Sequence, residues 1–190
     1  MNSERGVWLI GTGYTNIYSD IYYNNRMKKP RKSYMKNHIT IDSEYMLIRH
    51  QSVKKGPWFD TVFAISAIRS IKEYKPKYIL ADKAYDTEKI KKTIIEETTA
   101  IPQTKKHQKT GKYRTKYRAI FWQKIYNYRN QVECVNSVEK RLFGGINTSR
   151  NRKLQIKEIK LKNTFYNIDK TIKNLKKIGF LQNQFKSIYL

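Results

Sequence analysis

The chain has 190 residues and carries 40 Lys and Arg against 15 Asp and Glu, a formal net charge of +25. That length suits one domain with a helical extension rather than two domains, and a surplus of cations this large points to a polyanionic partner, with nucleic acid favoured over membrane because the basic residues are interleaved with 15 Tyr, 7 Phe and 3 Trp. The single cysteine, Cys134, excludes an internal disulfide and a cysteine-based metal site.

In chain order, Val7 to Ile10 reads as a short apolar strand running into Gly11-Thr12-Gly13. Two glycines without a third, and without a following Lys-Ser/Thr, do not make a phosphate-cradling loop. Residues 14 to 33 are rich in Tyr, Asn and Lys and offer little to bury, so a solvated loop facing DNA is expected there. Tyr34 to Ile41 and Tyr45 to Val53 read as a strand pair joined by the turn Asp42-Ser43-Glu44. After Gly56-Pro57, the pattern Phe59, Val62, Phe63, Ile65, Ala67, Ile68 predicts a largely buried helix with Asp60 in its first turn.

Tyr78-Ile79-Leu80-Ala81 is an uninterrupted apolar run between Pro76 and Asp82, as expected of a strand covered on both faces. A helix from Thr87 to Glu97 and a short strand from Thr99 to Ile101, closed by Pro102, follow. The order predicts an α/β fold with a mixed sheet flanked by helices.

From Thr98 to Val132 there is no acidic residue, and nine cations occur: Lys105, Lys106, Lys109, Lys112, Arg114, Lys116, Arg118, Lys124 and Arg129. Their mutual repulsion would be relieved by a DNA backbone, so this basic insertion loop is the expected phosphate contact. Next, a helix over Tyr126 to Phe143 is predicted, closed by Gly144-Gly145. At roughly 100° per residue, Tyr126, Arg129, Glu133 and Lys140 share an arc of about 60°, with Val132, Val135, Val138 and Leu142 on the other side. One carboxylate beside cations suits a phosphate-handling surface; an exposed i,i+4 pair is the plainer alternative. Leu161, Phe165, Ile168, Ile172 and Leu175 then repeat at 4-3-4-3 spacing, a stripe for packing or dimerisation. No stretch is apolar enough to span a bilayer and the N-terminus has no signal-peptide core, so no membrane association and a cytoplasmic location are expected.

Asp82 ends a strand and Glu133 lies fifty-one residues on, along a helix. Carboxylates from separate elements can converge on a divalent cation, since Mg²⁺ takes hard oxygen ligands. Asp82 as a turn residue and Asp86 as a helix cap remain open alternatives.

The run Ala81-Asp82-Lys83-Ala84-Tyr85-Asp86, with Tyr126, Arg129, Glu133 and Lys140 at Tyr-x2-Arg-x3-Glu-x6-Lys spacing, resembles an insertion-sequence DDE transposase over nearly the whole chain. Ile101-Pro102, the Tyr34 to Ile41 strand and Asp60 after Gly56 resemble further features of that family. The resemblance implies an RNase H-like catalytic domain over residues 1–150, with residues 151–190 as its C-terminal helical extension. It also implies an Asp-Asp-Glu triad binding two Mg²⁺ (or Mn²⁺), cleavage and transfer of DNA strands, transposon ends and target as partners, and homo-oligomer assembly. By it Asp82 is the second acid and Glu133 the third, both catalytic and metal-binding. Tyr126, Arg129, Lys140, Lys105, Lys106, Lys109, Lys112 and Arg114 become DNA contacts. The departure is at the first strand, where Ile10 stands in place of the first Asp; Asp20 and Asp42 are the acids that could replace it, and neither is expected to reach. The chain also begins almost at that strand, so a truncated, weak or inactive copy is expected. The alternative from another class is a non-catalytic DNA- or RNA-binding module.

Overall fold

The computed structural model describes residues 6–17, 34–56, 58–104, 110–118, 120–127 and 129–188. Lys105, Lys106, Lys109 and Asp20 lie outside these residues, as does most of the loop 14–33.

Three antiparallel strands open the fold: β1 (Gly6–Asn16), β2 (Tyr34–Asp42) and β3 (Ile48–Lys55). After helix α1 (Thr61–Ser70), β4 (Tyr78–Ala81) lies parallel to β1, and after α2 (Glu88–Glu97), β5 (Ile101–Thr104) lies parallel to β4. The sheet order is β3-β2-β1-β4-β5, with the two-residue β6 (Ile146–Asn147) beside the far end of β1. Short helices α3 (Lys112–Arg118) and α4 (Gln123–Tyr126) precede α5 (Arg129–Phe143), and α6 (Arg152–Ile188) ends the described chain. This mixed sheet flanked by helices is the predicted α/β class and is consistent with the RNase H-like fold that the resemblance implies.

The alternation of side chains along β1 and β4 explains why helices cover both faces. Val7, Leu9, Ile79 and Ala81 point to α1 and α2, where Ala64, Ala67, Ile68, Ile90 and Ile94 meet them. Trp8, Tyr78 and Leu80 point the other way, against Val132 and Val135 of α5 and Tyr166 of α6. All four β4 residues are buried, as their apolar run predicts. At the third contact, Ile159 of α6 joins Tyr14, Met35 and Val53.

Several boundaries differ from the sequence-based expectations, each for a local reason. β1 extends to Asn16 through both glycines, because β2 pairs with it along its length from Val7↔Asp42 to Thr15↔Tyr34. β5 starts at Ile101 and includes Pro102 instead of ending before it; it lies at the sheet edge, where a missing N–H is tolerated. Part of the basic loop is helix α3, whose first turn donates Tyr113 N and Arg114 N to the Glu88 carboxylate. Glu96 of α2 accepts from the Tyr113 hydroxyl, so acids from a neighbouring helix meet a segment that has none of its own. Asp86 is not a helix cap: Thr87 caps α2 through Oγ1, and Asp86 pairs with Lys91 at 2.7 Å, both side chains buried.

The single predicted helix from Tyr126 is two, because α4 ends at Tyr126 and α5 begins at Arg129. Val132 and Val135 face the core as predicted, but Leu142 is exposed. Gly144 adopts φ +80 just past the end of α5, the left-handed closure expected of a C-terminal glycine.

Candidate active site

The register of β1 against β4 builds the site. Leu9 pairs with Ala81, the last residue of β4, so β1 runs on where β4 stops and Asp82 emerges beside Ile10. The gap left there is a cleft of about 240 Å³ lined by Trp8 to Gly11, Asp60, Asp82, Tyr85, Val132, Glu133 and Asn136. Asp82 and Glu133, distant in sequence, therefore share one cleft.

The third acid on its wall is Asp60, which the sequence marked in a helix's first turn and as a feature shared with the family it resembles, but not as a residue of the site. It occupies the N-cap of α1, yet its side chain makes no capping hydrogen bond. Instead the carboxylate leans over β1. A Cβ built on Gly11 would lie 2.4 Å from Asp60 Oδ1, and Lys36 Nζ of β2 lies 2.9 Å from the same oxygen. The signal available in the sequence was an Asp just before an apolar helix together with a glycine one residue past Ile10; neither alone shows that the two meet.

Tyr85 links the acids electrostatically. Burial raises its hydroxyl pKa well above the ordinary range, and the Asp60 and Asp82 charges raise it further. Its oxygen is 2.7 Å from His38 Nε2, and the His38 ring stacks on Phe63 at 5.3 Å. Burial first, then the charges of His50 and Lys36, push His38 down to about 3, so the imidazole is neutral. Asp82 Oδ1 accepts from Lys83 N at 2.6 Å, which fixes the turn leaving β4.

The other predicted contacts disperse. Tyr126 is buried, with its ring centroid 6.2 Å from Trp8 and 5.4 Å from Phe121, so its ring packs against the core. Lys140 stands two turns beyond Glu133 with Nζ 5.4 Å from the Tyr14 ring centroid, away from the cleft lining. Arg129 opens α5, one turn before Glu133. Lys112 is exposed on α3, and Arg114 is half-buried behind it. Asp42 is fully buried opposite Val7, held by Arg49 at 2.8 Å and by Tyr45 N, and is not among the residues lining the cleft.

The donor set suits a hard divalent cation, being carboxylate oxygens joined by the Asn136 amide, whose buried Oδ1 has no hydrogen-bond partner. Among the described residues, no three His, Cys, Asp or Glu side chains gather closely enough to hold a metal as they stand. Mg²⁺ commonly binds through one or two carboxylates and completes its shell with water and substrate phosphate, so this arrangement fits the ion.

Gly11→Ala tests the close approach directly. The contacting atom is the end of a movable side chain, so melting should change by less than about 1 kcal/mol while Asp60 is pushed off β1. Metal titration would then show weaker binding than the parent chain; unchanged binding would remove Asp60 from the site.

Three comparisons with known proteins bear on this geometry. A family model described as transposase DDE domain matches residues 12–168. Among solved structures, the chain is similar to a chain of the cryo-electron-microscopy structure of a simian T-cell lymphotropic virus intasome in complex with PP2A regulatory subunit B56 gamma, at 13% identity and a TM-score of 0.39. That match covers 54% of this chain and 34% of the other, so this chain spans about a third of its length. No curated protein matches. Among the described residues, no helix is long and apolar enough to cross a membrane.

Proposed function

The chain belongs to the transposase DDE domain family, and from that premise we propose that it performs DNA transposition chemistry by divalent-metal-dependent cleavage and transfer of DNA strands. The reaction site in this reading is the cleft where β4 ends beside the middle of β1. Asp82 and Glu133 serve as two of its carboxylates, and Asp60 supplies the third in place of the acid that β1 lacks at Ile10. The observation that carries the proposal is that one cleft is lined by acids from three separate elements.

A bound Mg²⁺ or Mn²⁺ pair would supply an activated nucleophile and stabilise the leaving oxygen of a phosphodiester. The chain's own part is to hold oxygen donors of fixed charge around that point and to bring a phosphate to it. Tyr85 keeps its proton, given its raised pKa, so it acts as a hydrogen-bond donor and not as a base. Lys36 balances the Asp60 charge in the free protein and is placed to meet a phosphate oxygen once Asp60 has another cation to bind.

The exposed cations supply the backbone contacts. Lys112→Ala should weaken binding almost equally across DNA sequences and lower the slope of log K against log salt by about 1; an unchanged slope takes Lys112 off the interface. The family and the charge support DNA as partner and an assembly of several chains as the working form.

A second reading has its own observation. The Lys36–Asp60 pair already neutralises one acid, and the described carboxylates form no three-ligand cluster, as a non-catalytic DNA- or RNA-binding module would show. Mn²⁺-dependent nicking and joining, run beside melting with and without Mn²⁺ on the parent chain, Asp60→Asn and Ile10→Asp, separates the two. Activity in the parent chain that Asp60→Asn removes supports the proposal. Activity in Ile10→Asp alone keeps the transposase reading and refutes the role of Asp60. Tight DNA binding with no metal effect in any of the three establishes the module.

A further inference from the structure

Helix α6 is 37 residues long, roughly 55 Å at the usual rise, and it is apolar on two opposite sides. One side is accounted for: Ile159 and Tyr166 enter the core, and Asn163 of the same side hydrogen-bonds Asn37 and Gln51. Counting about 100° per residue from Ile159, Leu154, Leu161, Phe165, Ile168, Ile172 and Leu175 fall between roughly 160° and 240°, the side turned away from the sheet. Each of these six is 47 to 62% exposed. Beyond them, residues 176 to 178 are also exposed, an arrangement in which a helix draws its stability from a partner and not from its own propensity.

We propose that this stripe is the seam of a parallel two-stranded coiled coil with a second copy of the chain. The spacing from Leu161 to Leu175 alternates 4 and 3, a 3.5-residue period that keeps a seam facing one partner helix. Phe165 and Ile172 take the a positions, and Leu154, Leu161, Ile168 and Leu175 the d positions. The six side chains present on the order of 500 Å² per chain, hence about 1,000 Å² for a pair, at the small end of specific interfaces.

Charge decides the direction. The flanking e positions from Leu161 on are Lys162, Asp169 and Lys176, and the g positions are Lys157, Thr164 and Thr171. In a parallel pair Thr164 meets Asp169 of the other copy and Thr171 meets Lys176, and the one like-charged contact, Lys157 with Lys162, is relieved because Lys162 Nζ is held by the Gly144 and Ile146 carbonyls and by Glu158 of its own chain. An antiparallel pair centred on Ile168 would set Lys162 against Lys176 and Asp169 against Asp169. The lysines at 170, 173 and 177 lie at the outer b and f positions, where they leave the seam dry. Two chains of +25 still repel, so the dimer should tighten as salt screens that charge.

Sedimentation equilibrium of the chain without DNA tests this, since it needs neither metal nor activity. The parent chain should be a dimer whose dissociation constant falls as salt rises. Ile168→Lys with Ile172→Lys, both at exposed positions, should raise that constant at least about tenfold while circular dichroism and melting stay close to the parent's. In a Cys134→Ser background, Leu175→Cys should form an interchain disulfide on oxidation, because a d residue faces its own copy only in the parallel arrangement. A monomer at every concentration, or a dimer indifferent to the double substitution, overturns the seam. A dimer that the double substitution dissociates but Leu175→Cys does not link overturns the parallel direction.

Discussion

Asp82→Asn should abolish Mn²⁺-dependent strand nicking, by at least about a thousandfold, because a metal-stabilised transition state is worth several kcal/mol and the substitution removes a charged ligand at its centre. The fold should survive, since the asparagine oxygen can still accept from Lys83 N as Asp82 Oδ1 does. DNA binding should survive too, as it rests on cations elsewhere. An independent readout is the melting temperature. A cation bound only by the folded chain at a hundred times its dissociation constant adds about 2.7 kcal/mol, which raises melting by several degrees in a domain of this size. Asp82→Asn should remove most of that rise. If nicking persists undiminished, the reaction takes place somewhere other than this cleft.

Glu139→Gln should stabilise the chain above neutral pH by roughly 2 to 3 kcal/mol. Glu139 is fully buried, and neither of its carboxylate oxygens nor the Tyr14 hydroxyl beside it has a well-aligned hydrogen bond. Burial pushes its pKa up to about 7 from an ordinary 4.5, against smaller opposing effects of Tyr14, Lys162 and Lys140. The folded chain therefore holds this proton more tightly than the unfolded chain. Stability from that proton is whole below about pH 4.5, declines as pH rises, and is gone above about 7. A glutamine stays neutral throughout, so the difference between the two chains should open between those values and level off. Urea melts at pH 5 and pH 8 measure it; equal differences at both would show that Glu139 is solvated or paired.

The two substitutions act on opposite electrostatic situations, one in the cleft and one behind α5. In the cleft, acids gather around an opening that a cation can enter, with Lys36 as the counter-charge in the free protein. Behind α5, one acid is enclosed where water cannot reach it, and the neighbouring lysines direct themselves elsewhere: Lys140 over the Tyr14 ring and Lys162 to the carbonyls of Gly144 and Ile146. Glu133 and Glu139 lie six residues apart on α5 and point to different sides of it, which is why one is exposed and the other sealed.

The sequence alone determined the class of fold, because apolar runs such as Tyr78 to Ala81 and the α1 pattern are local consequences of which faces must be buried. It determined the charge, which favours a polyanionic partner. Through spacing it also marked Asp82 and Glu133, and through a family resemblance it singled out Ile10. What it left undecided depends on contacts between residues far apart. The break between Tyr126 and Arg129, and the packing of the Tyr126 ring on Trp8, bring together residues far apart in the chain, which no local pattern records. Asp60 joined the site only through tertiary structure. Its backbone would allow an ordinary cap, but α1 is set across β1 where Gly11 leaves room, and no pattern within either segment records that the two approach. Side-chain periodicity follows from backbone geometry and is written locally; convergence at a cleft follows from how the sheet and helices pack, and appears only when the chain is folded.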